Sequence, residues 1–330
     1  MIAQLDPAFV KTRPAKCWSR LVAYSLFEGR PLTTKGQWIN PVVLAAHRLW
    51  ATLPVRPPKR DPIFILGLGR SGTTILGKIL GLHAELGFLN EPKALWHAAL
   101  GDDDLIGSYG KAHARYRMHA GDATEQKARA LARSYRVFSW VSGSRRVVDK
   151  YPELIFRVPF LDQTFANAHK LVIIRNCHDT VGSIENWSAK NGRAGGMGRE
   201  DWWGLNGRKW HYLRDQILAR DPYFAPVQPL LADIDRHEDM AALEWVATMQ
   251  EALRLRAQNQ NALYFLKYED LVADPDQTLS AALHFCDLPI DYKMLRYARG
   301  ILKPAPARPA PQLHPAISTL VDETMAALGY

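Results

Sequence analysis

Apolar positions along this chain come in two rhythms. Five short runs are apolar at nearly every position: Ile63–Leu66, Phe88–Leu89, Val147–Val148, Leu171–Ile174 and Leu263–Leu266. Each is too short for a helix and is stopped by glycine or polar residues, which marks buried strands. Between them the spacing turns helical. The run from Thr73 to Leu82 is one such stretch, and Pro92 opens another through Trp96. Pro152 to Ala166 carries Leu154, Ile155, Val158, Leu161 and Phe165 on one stripe. A further helix, with Asp179 as its N-cap, carries Ser183 and Trp187. Ala241 to Arg256 reads as amphipathic, and Asp274 caps a helix over Pro275–Phe285. Strands alternating with helices predict an α/β, three-layer fold, with a central parallel sheet flanked by helices.

Composition shifts divide the chain. Residues 1–60 read as a helical N-terminal extension, closed by the stiff linker Pro54–Arg60. The α/β domain spans 61–300, with insertions at about 101–140 and 188–236, and 301–330 is a C-terminal tail, proline-rich from Ile301 to Pro315 before a short helix. The first insertion is polar and is expected to cover one edge of the sheet. Its acidic triplet, Asp102–Asp104, suits a solvated loop or helix start better than a metal site. The second insertion is rich in Gly, Trp and Arg, as lids and binding loops are. Trp202, Trp203 and Trp210 would make a platform for a flat acceptor, or would simply pack.

With 330 residues, 47% of them hydrophobic, the chain can bury a large core. Its net charge of +9 implies anionic partners. Lys and Arg are scattered without a long run, which argues against nucleic acid and leaves an acidic membrane surface or a phosphorylated small molecule. Trp38 to Val55 is broken by Pro41, His47, Arg48 and Pro54, so no transmembrane segment is expected. That stretch would either touch a membrane peripherally or pack on the main domain. Cys17, Cys177 and Cys286 are far apart, which suggests neither zinc nor a disulfide framework. The N-terminus lacks the apolar core of a secretory signal, and a cytoplasmic location is the expectation.

The chemistry concentrates at PIFILGLGRSGTTILGKILGL, residues 62–82. A strand, a glycine-punctuated loop and a helix form a phosphate cradle, because loop N–H groups and the helix N-terminus converge on an anion. A nucleoside-triphosphate loop reads G-x-x-x-x-G-K-[ST]. Gly67 and Gly72 keep that glycine spacing, but Thr73 stands where the lysine should be. The loop therefore suits a transferred group of lower charge, with Arg70 and Ser71 supplying a cation and a hydroxyl. A second frame, Gly72 to Gly77-Lys78, would lie inside the helix and reads as chance. A helix of about ten residues carries the chain about 15 Å away, and a strand of about five residues returns it about as far. Right-handed crossover then brings Glu91 to the carboxyl edge of the sheet, beside the loop. There it is either a catalytic carboxylate or the acid preceding a helix that Pro92 opens. Arg175 at a strand end and Ser183 on the next helix make a second anion pocket, unless Arg175 merely pairs with Asp179.

Three motifs in register carry a resemblance. RSGTT (Arg70 to Thr74), LVIIRNCHDTVGSI and YFLKYEDLVADPDQTLSAALHFCDLP are similar to the PAPS-dependent sulfotransferases, whose donor is 3′-phosphoadenosine 5′-phosphosulfate. DKYPELIFRVPFL resembles the segment preceding the 3′-phosphate motif in the bacterial and Golgi-type branches. The resemblance covers about residues 62–290 and implies a P-loop-like fold. It implies that Arg70, Ser71, Gly72, Thr73 and Thr74 hold the 5′-phosphosulfate, and Arg175 and Ser183 the 3′-phosphate. FLNEP is similar to the aromatic-x-Glu-Pro of the carbohydrate branch, which implies Glu91 as general base. Lys150 matches a lysine that, in the tyrosylprotein branch, steadies the sulfuryl group; otherwise it would pair with Asp149 or Glu153. Tyr268 matches a tyrosine near the nucleotide. Ile75 replaces the tryptophan of the cytosolic branch, and the RKG signature is absent, so the resemblance assigns no adenine contacts. It implies PAPS as co-substrate, PAP as product, no metal, and a small-molecule or glycan acceptor, with a carbohydrate or glycolipid hydroxyl ahead of a peptide tyrosine or another small alcohol. The rival reading, a small-molecule P-loop kinase, needs a lysine at 73 and offers only Asp149 to hold Mg²⁺. Oligomeric state is not legible.

Overall fold

The N-terminal helices α1 (Pro7–Thr12), α2 (Ala15–Val22) and α3 (Asn40–Thr52) precede the sheet. Then come β1 (Ile63–Gly67), α4 (Thr73–Leu80), β2 (Leu86–Asn90), α5 (Lys93–Leu100), α6 (Glu125–Ser142), β3 (Arg146–Lys150), α7 (Val158–Thr164), β4 (His169–Ile174) and α8 (Cys177–Asn191). A small antiparallel sheet of β5 (Arg193–Gly195), β6 (Gly198–Asp201) and β7 (Gly204–Leu205) follows, with α9 (Arg208–Leu213) and the long α10 (His237–Ala257). The chain closes with β8 (Leu263–Lys267), α11 (Tyr268–Ala273), α12 (Pro275–Phe285), α13 (Tyr292–Ile301) and α14 (Pro315–Ala327). This computed structural model describes residues 2–56, 58–195, 198–258, 263–304 and 308–330. Parts of three expected features, at positions 57, 196–197 and 305–307 of the linker, the Trp-rich insertion and the proline-rich tail, lie outside the described residues.

The main sheet is parallel throughout, in the order β2-β3-β1-β4-β8. Every residue of β1 is buried because both faces of the sheet are covered. Phe64, Leu66, Val172 and Leu89 point into one core with α5, α6, α8 and α10. Ile63, Ile65, Leu171 and Phe88 point into the other with α4, α12 and α13. These are the three layers. α4 leaves β1 over one face and α8 leaves the neighbouring β4 over the other. A crevice therefore opens at the carboxyl ends of these two strands, where ligands bind in open α/β sheets.

β2 is an edge strand, and its outer polar groups need partners. The N-terminal segment supplies them. Lys16 Nζ donates to the Leu86 carbonyl at 2.5 Å, Arg20 donates to the Phe88 carbonyl at 2.5 Å, and Glu28 Oε1 accepts from the Asn90 N–H at 2.9 Å. Arg20 and Glu28 are themselves a buried ion pair at 2.7 Å. Residues 1–60 thus close the edge of the sheet, where the 101–140 stretch was expected; α6 instead lies on one face, with Leu131, Tyr135 and Phe138 in the core. α3 packs against α5 and α6. No helix among the described residues is long and apolar enough to cross a membrane.

Other local expectations change. The helix expected over Pro152–Ala166 is a 3₁₀ turn, Pro152–Arg157, followed by α7, in which Pro159 sits in the first turn. Asn176, not Asp179, caps α8, its side chain accepting from the Asp179 N–H at 2.9 Å. Asp103 and Asp104 are buried rather than solvated. Asp104 accepts from the N–H groups of Gly107, Ser108, Tyr109 and Gly110 and so winds a loop around itself. α10 is buried on all sides, not amphipathic. The three cysteines are free thiols.

Candidate active site

The loop after β1 needs its glycines for space as well as for backbone freedom. Gly67 has φ +133°, and a Cβ there would lie 2.5 Å from the Ile173 carbonyl. Gly72 has φ +96°, and a Cβ there would lie 2.3 Å from the Tyr268 ring. Arg70 also takes a left-handed φ, +73°, where a side chain is strained. The outcome is a tight cup. No side chain caps α4, so its first N–H groups face the cup. Ser71 and Thr73 are buried, Thr74 is half-buried, and Ser71 Oγ has no hydrogen-bond partner among the described residues. An orphaned hydroxyl beside an open helix end is an arrangement that an anion completes.

Arg70 and Arg175 turn the crevice basic. Arg70 Nε donates to Ser183 Oγ at 3.2 Å, and Arg175 donates to the Arg70 carbonyl at 3.3 Å. The Arg175 guanidinium lies 4.4 Å over the Tyr268 ring and 3.3 Å from Asp179, while its Nε has no partner among the described residues. Burial pushes Arg70 below its ordinary pKa; Glu91 opposes that shift, and Arg175 and Arg308 add to it. The structure thus brings Arg70, Arg175, Ser183 and Tyr268 together with the loop. It adds Arg308, which sequence reasoning missed. Its backbone N–H donates to Asp179 at 3.2 Å and its guanidinium bonds the Gly182 carbonyl. No signal links position 308 to the loop across so long a separation.

Glu91 and Lys150 sit at adjacent strand ends, since Asn90 is in register with Lys150. β3 lies between β2 and β1, so Glu91 meets the loop region across Lys150 rather than directly. The carboxylate is 2.5 Å from Lys150 Nζ and 3.6 Å from Lys93 Nζ. Glu91 has φ +49°, held by its N–H donating to the Lys150 carbonyl at 2.7 Å. Burial pushes the Glu91 carboxyl up, but Lys150 and then Lys93 outweigh it and hold the group at about 2. The side chain is 37% accessible and lines a cavity. Lys150 is 1% accessible, so the pair is protected from screening on one side.

Beyond Glu91 a row of alternating charges continues. Lys93 is 3.2 Å from Glu153, and Lys209 is 3.9 Å from Glu153 and 2.5 Å from Glu244. Burial pushes Lys93 down, yet Glu153 and Glu91 raise it well above its ordinary value. Trp202 Nε1 donates to Glu244 at 2.7 Å, and Lys209 lies 4.4 Å over the Trp202 ring. Trp202 also fills the space left by the missing Cβ of Gly69. Trp203 and Trp210 are buried and pack edge-on against each other, so only Trp202 of the three lines the cavity. That cavity, about 260 Å³, runs from Gly67–Gly69 past Glu91 to Tyr109, and residues 30–34 border it.

Asp149 is excluded as a cation holder by its surroundings. It is fully buried, accepts from Tyr135 Oη at 2.5 Å and Trp96 Nε1 at 2.9 Å, and burial pushes it up to about 7. Lys78, of the second glycine frame, pairs with Asp6 away from the loop.

Residues 62–228 match the model of the sulfotransferase family. The chain belongs to that family. Among curated proteins it is 27% identical over 257 residues to an uncharacterized protein of Aquifex aeolicus (strain VF5), a match covering 73% of this chain and 27% of that protein. The chain thus spans about a quarter of the length of the curated relative it matches. Among solved structures, this chain is similar to the sulfotransferase domain of the curacin biosynthetic pathway, at 16% identity, 83% coverage of this chain and 99% of that one, and a TM-score of 0.49. It is also similar to a sulfotransferase of Mycobacterium tuberculosis H37Rv, at 16% identity, 98% and 93% coverage and a TM-score of 0.49. A mouse sulfotransferase complexed with PAP is 15% identical, with 78% and 69% coverage and a TM-score of 0.37.

Proposed function

We propose that this sulfotransferase takes the sulfuryl group from PAPS and passes it in line to a hydroxyl in the cavity, releasing PAP. One observation carries the reading: a carboxylate–lysine pair, Glu91 and Lys150, stands between an anion cup with an orphaned hydroxyl and a cavity that Glu91 lines. The cup residues Arg70 to Thr74 hold the 5′-phosphosulfate. Arg175 and Ser183, with Tyr268 beside them, hold the 3′-phosphate, and the free Nε of Arg175 fits that task. Sulfuryl transfer passes through a loose transition state, as phosphoryl transfer does, so alignment and charge stabilisation dominate. The S–O bond to the donor phosphate breaks as the bond to the acceptor oxygen forms. Glu91 takes the acceptor proton, and Lys150 and Arg70 steady the charge on the sulfuryl oxygens and the departing phosphate.

The low pKa of Glu91 belongs to the donor-free site. When the sulfuryl oxygens engage Lys150, Glu91 loses the first of its cationic partners, Lys93 and Lys209 remaining, and its basicity rises. A carbohydrate or glycolipid hydroxyl is the acceptor class we favour, because Trp202 and Tyr109 give the cavity an aromatic wall for a sugar ring, with Glu91, Lys93, Glu153 and Lys209 as polar groups along it. The reading is tested by calorimetry with PAP and with ATP–Mg²⁺. PAP is expected to bind more tightly, and Arg175→Ala to weaken PAP by about 1.5–3 kcal/mol. Tighter binding of ATP–Mg²⁺ would overturn it.

A further inference from the structure

Positive charge is not spread evenly over this chain. Residues 1–60 hold 10 Lys and Arg against 2 Asp and Glu; Lys16, Arg20 and Arg30 are buried in the fold, while Lys11, Lys35, Arg48, Arg56 and Lys59 are exposed and neither acid of the segment is. Exposed apolar side chains cluster on the same segment. Eight of the eleven large hydrophobic side chains exposed among the described residues lie on residues 18–49 or at the end of α6. They include Trp38 at 81%, Val42 at 65%, Trp18 at 62% and Leu49 at 61%.

These residues belong to one layer. Phe27, His47 and Phe138 interlock, with ring centroids 5.3 Å apart for Phe27–His47 and 5.0 Å for Phe27–Phe138, which ties the turn after α2 to α3 and α6. Trp18 Nε1 donates to the Val141 carbonyl at 2.7 Å, joining α2 to the end of α6. α3 turns Val43 and His47 inward, leaving Val42, Ala45 and Leu49 along its outer face. Exposed Lys35 and Arg48 flank this face beside Trp38 and Leu49. Tryptophan and leucine on a helix face rimmed by cations have the make-up of an interfacial helix.

We infer that the outer face of the N-terminal layer docks this protein on a bilayer carrying anionic lipids. Charge complementarity selects that occupant: a face of this sign repels a second copy of itself, while anionic headgroups attract each exposed cation by about fivefold in affinity. The docked orientation has a use. Residues 30–34 border the acceptor cavity, and residues 32–38 border the surface groove next to it, so docking sets the cavity near the headgroups. The acceptor would then be a hydroxyl presented by a membrane lipid. That last step rests on the sulfotransfer reading; the docking itself does not.

Flotation of the purified protein with vesicles reads the docking alone. Binding is expected to phosphatidylcholine vesicles containing phosphatidylglycerol, weakening as salt rises, with little binding to phosphatidylcholine by itself. The variant Trp38→Ser/Val42→Ser/Leu49→Ser changes only exposed side chains and should lose about tenfold or more in binding, while its melting temperature and its affinity for PAP stay at the wild-type values. Lys35→Glu/Arg48→Glu should lose a comparable factor for anionic vesicles only. Failure of the wild-type protein to float with anionic vesicles, or equal flotation of the triple variant, would overturn the inference. So would a wild-type dimer that the triple variant converts to a monomer, since the face would then be a contact between copies. Loss of PAP binding with flotation intact would instead count against the sulfotransfer reading.

Discussion

Replacing Glu91 by Gln separates the chemistry of this site from its architecture. The amide keeps the shape of the side chain and tolerates the same backbone, but it cannot take a proton and carries no charge. Loss of a general base costs about 10²–10⁴-fold in rate. The electrostatic cost follows from the pair itself. Glu91 descends from 4.5 to about 2, which at about 1.4 kcal/mol for each pH unit caps its contribution at roughly 3 kcal/mol. With 37% of the side chain accessible, screening lowers that to about 1–2 kcal/mol. The sign is that of a depressed carboxyl: the contribution is complete above 4.5 and is lost as the pH falls towards 2. Urea unfolding at pH 7 should therefore show Glu91→Gln less stable by about 1–2 kcal/mol, and the gap should close on acidification. Donor binding should move the other way. With the carboxylate gone, Lys150 is free for an incoming anion, so calorimetry should find PAP bound as tightly or more tightly. Transfer of labelled sulfate to an acceptor mixture measures the rate. Unchanged transfer would remove Glu91 from the chemistry, and a collapse of PAP affinity together with the rate would make it a scaffold for the donor instead.

Gly72→Ala should abolish the cup, since the new Cβ meets the Tyr268 ring at 2.3 Å with φ at +96°; a loss of about 2 kcal/mol in stability and of tenfold or more in PAP affinity is expected, read by urea unfolding and calorimetry. Trp202→Ala should raise the acceptor KM by roughly tenfold while leaving kcat near wild type, with a smaller effect on PAP affinity, because Trp202 walls the cavity and meets the loop only over Gly69. Asp149, raised to about 7, predicts a pH-dependent comparison. The Asp149 contribution to wild-type stability should fall as the pH rises from 3.8 to about 7 and level off above it, as for any carboxyl whose folded pKa is raised. Asp149→Asn lacks that slope, so the difference between the two proteins, followed by unfolding at several pH values, should shift in favour of the variant across this window.

The strands were legible because β1 and β4 are buried on both faces, and a continuous apolar run has no other reading at that length. The glycine loop was legible from its spacing, and the length of one helix and one strand brought Glu91 to the right edge of the sheet. What stayed hidden depends on chain crossings that no local pattern encodes. β3 inserts between β1 and β2, so Lys150 became the link between Glu91 and the loop. The row Lys93, Glu153, Lys209 and Glu244 assembles from four separate elements, and Arg308 arrives from the tail. Burial also erased signals. α10 is covered on all sides, so its periodicity misleads. Asp103 and Asp104 look solvated by composition but spend their oxygens on His97 and on the N–H groups of one loop. At Asn176 and Asp179 either residue could cap, and only the fold chose.

The cation proposed to receive the sulfuryl group, Lys150, already has an anion. Glu91 occupies Lys150 as an internal competitor, and the resting site is neutralised from within. On the proposed mechanism, an acceptor entering first would meet a carboxylate of low basicity, and the pair would guard the site against an unproductive encounter. A donor entering first would displace the competitor and raise its basicity. The proposed mechanism therefore expects donor before acceptor, an order set by one ion pair.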